Sequence, residues 1–307
     1  MKYSGIGGQA VMEGIMMKNN DQYAVAVRKS DQEIIVDVND YQGIIKNKKL
    51  RKIPIVRGVI NFLESMILGM KALTYSASFF EDEDSEDKKK ENSEKKKQGK
   101  LSENVLMGIT VGFSIVLAIG IFMLLPYGVS LLFQTFTDSH LVIVIFEGLL
   151  RLAIFIGYVA LISLMPDIKR VYMYHGAEHK CINCIEHGHA LTIENVKNSS
   201  KEHKRCGTSF LILVILISIV FFMFIRVDEP ALRLLLRVLL VPIIAGVSYE
   251  FIRLAGRSDN SIVNLISRPG ILLQKITTRE PDDDMIEVGI ASVEAVFDWK
   301  AYLEEIK

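Results

Sequence analysis

The stretch PDIKRVYMYHGAEHKCINCIEHGHALTIENVKNSSKEHKRCGTSF, residues 166–210, holds five of the chain's six histidines and all three of its cysteines. Its kernel is His175-Gly176-Ala177-Glu178-His179. Pro166 and Asp167 suit the first turn of a helix running towards Gly188. On such a helix residues four apart share a face, so both imidazoles can reach one cation. Glu178 lies only about 60° off that face, close enough to take a proton from a water on the same ion. The order H-x-x-E-H is that of the inverted zinc-protease motif. There the histidines bind as neutral imidazoles, and zinc brings the pKa of its water to about 7, within reach of a carboxylate base. The expected cofactor is zinc, with another divalent metal as a variant of the same reading.

Two histidines do not complete a zinc shell. Glu186 faces the same side as His179 but lies roughly 10 Å farther along the axis, too far to ligate the same ion. It could orient a ligand's second nitrogen only if the chain turns back at Gly188. Cys184 points about 180° away from His175 on an intact helix. The third ligand is therefore expected from a separate segment: His203 and Cys206 first, Glu194 behind them. Other readings stay open. Cys181, Cys184, Cys206 and one histidine could form a purely structural zinc site. Cys181-x-x-Cys184 could be a redox pair, although no βαβ pattern surrounds it. The histidines could also be surface residues without a metal. His140 receives no role.

The elements that must position this cluster are largely membranous. The 307 residues are 50% hydrophobic and carry 36 basic and 36 acidic side chains, a formal net charge of zero. The mean hydropathy is +0.28. Such a chain is too apolar for a disordered protein, shows no bias towards nucleic acid, and has too few cysteines for a disulfide scaffold. Residues 104–137 contain no charged side chain, a run longer than the roughly 20 residues needed to cross a hydrocarbon core. Pro126 is expected to kink or end this first span. Further spans are expected at residues 141–165, 207–225 and 231–255. The last carries Arg233, Arg237, Glu250 and Arg253, so a helix lying in the interface is its alternative. Lys169, Arg170, Lys180, Lys197, Lys201, Lys204 and Arg205 all fall between spans two and three. By the positive-inside rule that loop and both termini are cytoplasmic, and its cysteines are reduced thiols. No apolar core suited to a signal peptide occurs in the first 50 residues. The expected partner is thus the lipid bilayer, with no nucleic acid.

Outside the spans, residues 22–37 read as a β-hairpin, two runs of β-formers around a polar turn. GIGGQAVMEGIMM, just before it, reads as a glycine-rich packing loop. Residues 55–80 form a helix with a narrow polar edge of Arg57, Glu64 and Lys71 and a wide apolar face, suited to the membrane interface. Residues 81–100 carry no apolar side chain and read as a disordered linker. Asp282, Asp283 and Asp284 sit at the start of a C-terminal helix, where they offset its dipole; a magnesium cluster is the alternative. Glu147 and Arg237 lie at equal depth in spans two and four, with Arg151 one turn deeper. A buried interhelical pair follows, structural before transport-related.

GGQAVMEGIMM, YHGAEHKCINC, RCGTSF and TTREPDDD together resemble the YqhQ-like bacterial multi-pass membrane proteins, a domain of unknown function. The resemblance spans nearly the whole chain. It implies a bacterial cell membrane and a metal-dependent enzyme, and supplies no substrate. The expectation is a mainly α, polytopic membrane protein with four transmembrane helices. Residues 1–80 form an N-terminal cytoplasmic region, 81–100 the linker, 101–255 the membrane domain carrying the 167–206 loop, and 256–307 a cytoplasmic helical tail. Its expected activity is metal-dependent hydrolysis, with His175 and His179 as ligands, His203 or Cys206 completing the shell and Glu178 as general base. The substrate would be presented at the membrane surface. A zinc-stabilised scaffold that docks a partner protein is the non-catalytic alternative, and a transporter the second.

Overall fold

The computed structural model describes residues 2–45, 47, 49–81, 96–227, 229–258 and 260–306; residues 82–95 of the expected linker lie outside the described residues. The chain is mainly helical, with a small N-terminal antiparallel sheet and four long apolar helical runs.

The sheet is a four-stranded meander in the order β1 (Gly7–Val11), β2 (Gly14–Asn19), β3 (Gln22–Arg28) and β4 (Ile34–Asp40). The hairpin expected over 22–37 is β3–β4, with Val25 opposite Asp37. The glycine-rich segment before it is not a loop. It is the β1–β2 hairpin, paired Gly8 to Met17 and Ala10 to Ile15, and it turns at Glu13, which adopts φ +48°. Glycine weakens a strand on its own, but the apolar β2 beside it is buried against helices, and that burial outweighs the local preference.

Eleven α-helices follow among the described residues. Helix α1 (Val56–Glu81) covers the helix expected over residues 55–80. Helix α2 (Lys96–Ile119) begins inside the expected linker, whose residues 96–100 are helical. It passes through one π-helical turn, Gly120–Leu124, into α3 (Leu125–Phe133). Proline cannot donate a hydrogen bond and its ring crowds the carbonyl four residues back. The widened turn just ahead of Pro126 accommodates both effects, so the first apolar run continues through the proline. The remaining long apolar helices are α4 (His140–Ile162), α7 (Gly207–Phe224) and α8 (Pro230–Ala255). Leu106, Ile109, Phe113 and Val116 of α2 are exposed, the kind of broad apolar surface that water does not tolerate.

Inside this bundle Glu147 of α4 is buried and accepts from Arg151 at 2.8 Å, from Arg237 of α8, and from Ser130 at 3.3 Å. Arg151 also donates to Ser218 of α7 at 3.1 Å. One carboxylate thus ties three helices, with a short α4 pair one turn apart inside the cluster.

Helix α5 (Pro166–Glu186) carries the H-x-x-E-H kernel and stays intact to Gly188, which turns the chain at φ +85°. It packs on the sheet side by side with α10 (Asp283–Glu294). Ile15 and Ala26, Cys181 and Ile185, and Ile286 and Val293 share one buried core. The side chain of Asp282 caps α10, accepting from Met285 N–H at 2.9 Å, and Asp283 pairs with Lys197 at 2.7 Å. The short α6 (Ile193–Lys197), capped by Thr192, α9 (Ser261–Thr277) and α11 (Trp299–Ile306) complete the chain. Helix α9 packs on α7, with Gly270 against Ser209.

Helix α1 crosses α8 where two glycines meet. A Cβ on Gly58 would stand 2.8 Å from the Gly246 carbonyl oxygen. Beside this crossing Arg57 pairs with Glu250. Gly58→Val is therefore expected to force the helices apart at a cost of about 1–3 kcal/mol, measurable as a lowered thermal midpoint of the detergent-solubilised protein.

Candidate metal centre

On α5, His175 and His179 present their rings to each other, centroids 4.3 Å apart. Each ring is fixed from behind. His175 Nδ1–H donates to the Thr277 carbonyl at 2.9 Å, and His179 Nδ1–H to the Lys201 carbonyl at 2.6 Å. A carbonyl oxygen can only accept, so Nδ1 carries the proton in both rings and the Nε2 lone pairs are available to a cation. Cys206, the N-cap of α7, brings its Sγ to 3.2 Å from His175 Nε2. The candidate ligand atoms of His175, His179 and Cys206 lie within 4.8 Å of one another. Among the described residues no other group of three such side chains comes together. Two nitrogens and one sulfur at this spacing suit zinc, which favours such ligands.

Burial opposes ionisation of Cys206, yet the imidazoles of His175 and His179 outweigh it and hold the thiol well below its ordinary range. Burial also disfavours charge on His175, but the Cys206 sulfur beside it prevails and raises that ring to about 9. Both shifts favour an imidazolium–thiolate pair, with a second proton on the His175 ring facing the sulfur. That proton is the one a cation displaces when thiolate and imidazole become ligands. Glu178 is buried beside them, and burial pushes its carboxyl up despite the neighbouring imidazoles. The Gly8 N–H supports this carboxylate. A Cβ at Gly8 would stand 2.9 Å from Glu178 Cγ and Cδ, so only glycine lets β1 approach.

The strap that bears the Lys201 carbonyl is held by α5 through the neighbouring carbonyls. Lys180 Nζ donates to the carbonyls of Lys197 and Ser199, both at 2.9 Å, and pairs with Glu280 at 3.0 Å. Asn183 Nδ2 donates to the carbonyls of Ser200 and Glu202 at 2.6 and 3.0 Å. These bonds shape the strap that carries Lys201 and leads to Cys206. On the other side Arg279 N–H donates to the Tyr172 carbonyl at 2.9 Å, and Gly176 leaves room for the Arg279 carbonyl. Sequence reasoning missed Lys180, Asn183 and Gly8 because they act on backbone and space. Asn183 does lie four residues after His179, on the same helical face, which is the signal that could have found it.

Other expected site residues lie elsewhere. His203 stays beside His179, ring centroids 5.6 Å apart, but faces Glu186 Oε2 at 3.7 Å. It lines the cavity without joining the donor group. Its backbone is clamped by Gln274 of α9, which accepts from His203 N–H and donates to its carbonyl, each at 2.8 Å. Glu194 is exposed on α6 and lies outside the group of candidate donors. Cys181 and Cys184 are buried free thiols on the core side of α5. Cys181 packs at Gly289 and Cys184 donates to the Ala190 carbonyl at 3.4 Å. They do not meet Cys206, so the expected four-residue structural zinc site is not assembled. Helical geometry is the reason, since residues 181 and 184 leave the face of 175 and 179. Glu186 also turns from the histidine pair, binding Arg205 at 2.6 Å and Ser4 N–H at 2.9 Å.

A cavity of about 90 Å³ joins Gly8, His175, Glu178, His179, His203 and Cys206. A larger cleft of about 530 Å³ reaches His175, Glu178 and Cys206 from between the soluble layer and the helices, past Phe62, Phe210 and Tyr249.

A family described as Protein of unknown function (DUF1385) matches residues 53–299. The "Uncharacterized protein YqhQ" of Bacillus subtilis (strain 168) is 34% identical over 300 residues, covering 97% of this chain and 94% of that protein. No solved structure gives a significant match.

Two outcomes test this arrangement. Asn183→Leu removes the buried donor that holds two carbonyls of the strap, so stability should fall by about 1–3 kcal/mol in chemical denaturation. Burial pushes Glu186 up, but His203, Arg205 and Ser4 outweigh it and hold the carboxyl at about 2. A lowered carboxylate pKa stabilises above its unfolded value and ceases to as pH falls through the folded one. Wild type should therefore melt above Glu186→Gln at neutral pH, with the gap closing as pH drops from about 5 towards 2.

Proposed function

The chain belongs to the DUF1385 family, whose function is unknown, and we propose that it is a four-span membrane protein carrying a cytoplasmic metal-dependent hydrolase centre. The observation that carries this reading is the donor set: two Nε2 atoms and one Sγ within 4.8 Å, both Nδ1 atoms tied to carbonyls, and Glu178 alongside. The four apolar helices support the spans. The loop lysines and arginines support cytoplasmic termini in a bacterial inner membrane. His175, His179 and Cys206 would hold zinc. When bound, such a cation supplies Lewis acidity, polarising the scissile group and acidifying a water.

The protein's own groups do the rest. Main-chain carbonyls keep both imidazoles in one tautomer. Burial keeps bulk water from Glu178 and raises its affinity for a proton. Its carboxylate takes a proton from the attacking water at one oxygen and returns it to the leaving group, while Gly8 N–H steadies the carboxylate. The cleft past Phe62 and Tyr249 fits a substrate presented at the membrane surface.

One observation favours a second reading. Cys206 Sγ lies 3.2 Å from His175 Nε2 and accepts from Thr208 N–H at 3.4 Å, at the start of α7. A helix N-terminus and a cationic imidazole are the surroundings that activate a nucleophilic cysteine.

Metal analysis of the purified full chain separates the two. The metal reading expects roughly one zinc per chain, lost in His175→Ala and Cys206→Ser. Glu178→Gln should retain the metal and lose turnover by about 10²–10⁴-fold, read as failure to complement a deletion strain. Full complementation by Glu178→Gln overturns the general base and leaves the zinc-stabilised scaffold. A metal-free protein alkylated rapidly at Cys206 supports the nucleophile instead. Loss of function on replacing Glu147 or Arg237, with tolerance of both histidine substitutions, supports a transporter.

A further inference from the structure

The cleft beside the metal centre continues into a second cavity of about 530 Å³ between β1, β2, α1 and the end of α8. Gly8, Gln9, Asn61, Arg205 and Tyr249 line both. The character changes along its length. Near α5 it is bounded by Phe62 and Phe210, whereas the far part adds Lys18 and Arg253. The acidic residue on that wall, Glu64, is already paired with Arg51, and Glu250, 4.0 Å from Arg253, is paired with Arg57. The cleft therefore presents surplus positive charge next to an apolar wall.

Arg205 stands where the two parts meet, and it also lines the small metal cavity. Its position is built. The aliphatic stem lies on Gly256, where a Cβ would stand 2.4 Å from Arg205 Cδ. The guanidinium stacks over Tyr3 at 4.2 Å, and Nη2 binds Glu186 at 2.6 Å. Its Nη1 is buried and has no hydrogen-bond partner among the described residues. An unmade bond at a buried guanidinium is costly, and phosphate oxygens match its fork. The apolar wall is made by Phe62 of α1, Phe210 of α7 and Ile252 of α8, and the outer surfaces of α1 and α8 expose Leu63, Met66 and Leu254.

We propose that this cleft binds the phosphate group of a membrane-anchored amphiphile, with Arg205, Arg253 and Lys18 on the headgroup and the chains lying along α1 and α8. That this amphiphile is the substrate rests on the metal-centre reading; the binding does not. The phosphate lies on the Arg205 side, which brings the headgroup's reacting bond towards Glu178 and the three metal donors.

The test uses the full chain in phosphatidylcholine nanodiscs, titrated calorimetrically with dihexanoyl phosphatidic acid, dihexanoyl phosphatidylcholine and inorganic phosphate. Phosphatidic acid should bind best of the three. Arg253→Gln and Lys18→Gln should each weaken it about tenfold. These two accompany Arg205→Gln, which also strips Glu186 of its partner and so tests folding as well. Affinities within about twofold of wild type for both single variants overturn the proposal, as does equal binding of inorganic phosphate or phosphatidylcholine. His175→Ala, assayed for metal in the same preparation, should lose metal yet bind phosphatidic acid as wild type does. Metal-free wild type that still binds through Lys18 and Arg253 overturns the metal centre alone. Metal-loaded protein indifferent to those substitutions overturns the phosphate subsite alone.

Discussion

Two main-chain carbonyls, those of Thr277 and Lys201, govern the chemistry available to this protein. An imidazole can present either nitrogen, and free rotation would leave His175 and His179 with no common focus. By accepting both Nδ1 protons, the carbonyls select one tautomer and aim both Nε2 atoms at the same space. Neither carbonyl is on α5. One ends α9, the other lies in the strap before Cys206. The donor set therefore exists only when three distant segments are packed together.

The packing explains why four separated motifs contribute. The glycine-rich hairpin brings Gly8 against Glu178, and its Glu13 binds Arg170 and Tyr174 of α5. The segment before α7 delivers Cys206. The segment after α9 supplies Thr277 and wraps Arg279 and Glu280 around α5. Each motif serves the same helix from a different side. Helix α5 is thus both the core of the soluble layer, through Cys181 and Ile185, and the carrier of the site, through the opposite face.

The bundle of long apolar helices rests on a related principle. A lone carboxylate in an apolar bundle is expensive, and Glu147 is shared between Arg151 and Arg237 with serines alongside. The cluster ties α4 to α8, and the α7 serine joins it. Their positions along the spans already suggested a pair, since charges at equal depth on neighbouring helices have few other partners.

Side-chain periodicity made the helices, the β3–β4 hairpin, the Asp282 cap and the facing of His175 and His179 readable, because each is set by spacing within one segment. Cys206 was also within reach, as a soft ligand close in sequence to a helix start. The β1–β2 hairpin was not, since its glycines look like loop and become strand only when Ile15 and Met17 are buried by α5 and α10. Choosing Cys206 over His203 and Glu194 needed the fold as well: all three are chemically able, and only Gln274, Glu186 and the path of the strap decide which one faces the imidazoles. The sequence by itself determined the candidate donor types, the helix that carries two of them and the apolar runs. Tertiary structure alone decided the third donor, the tautomers and the cleft at Arg205, because backbone carbonyls and enclosed space have no signature in residue order.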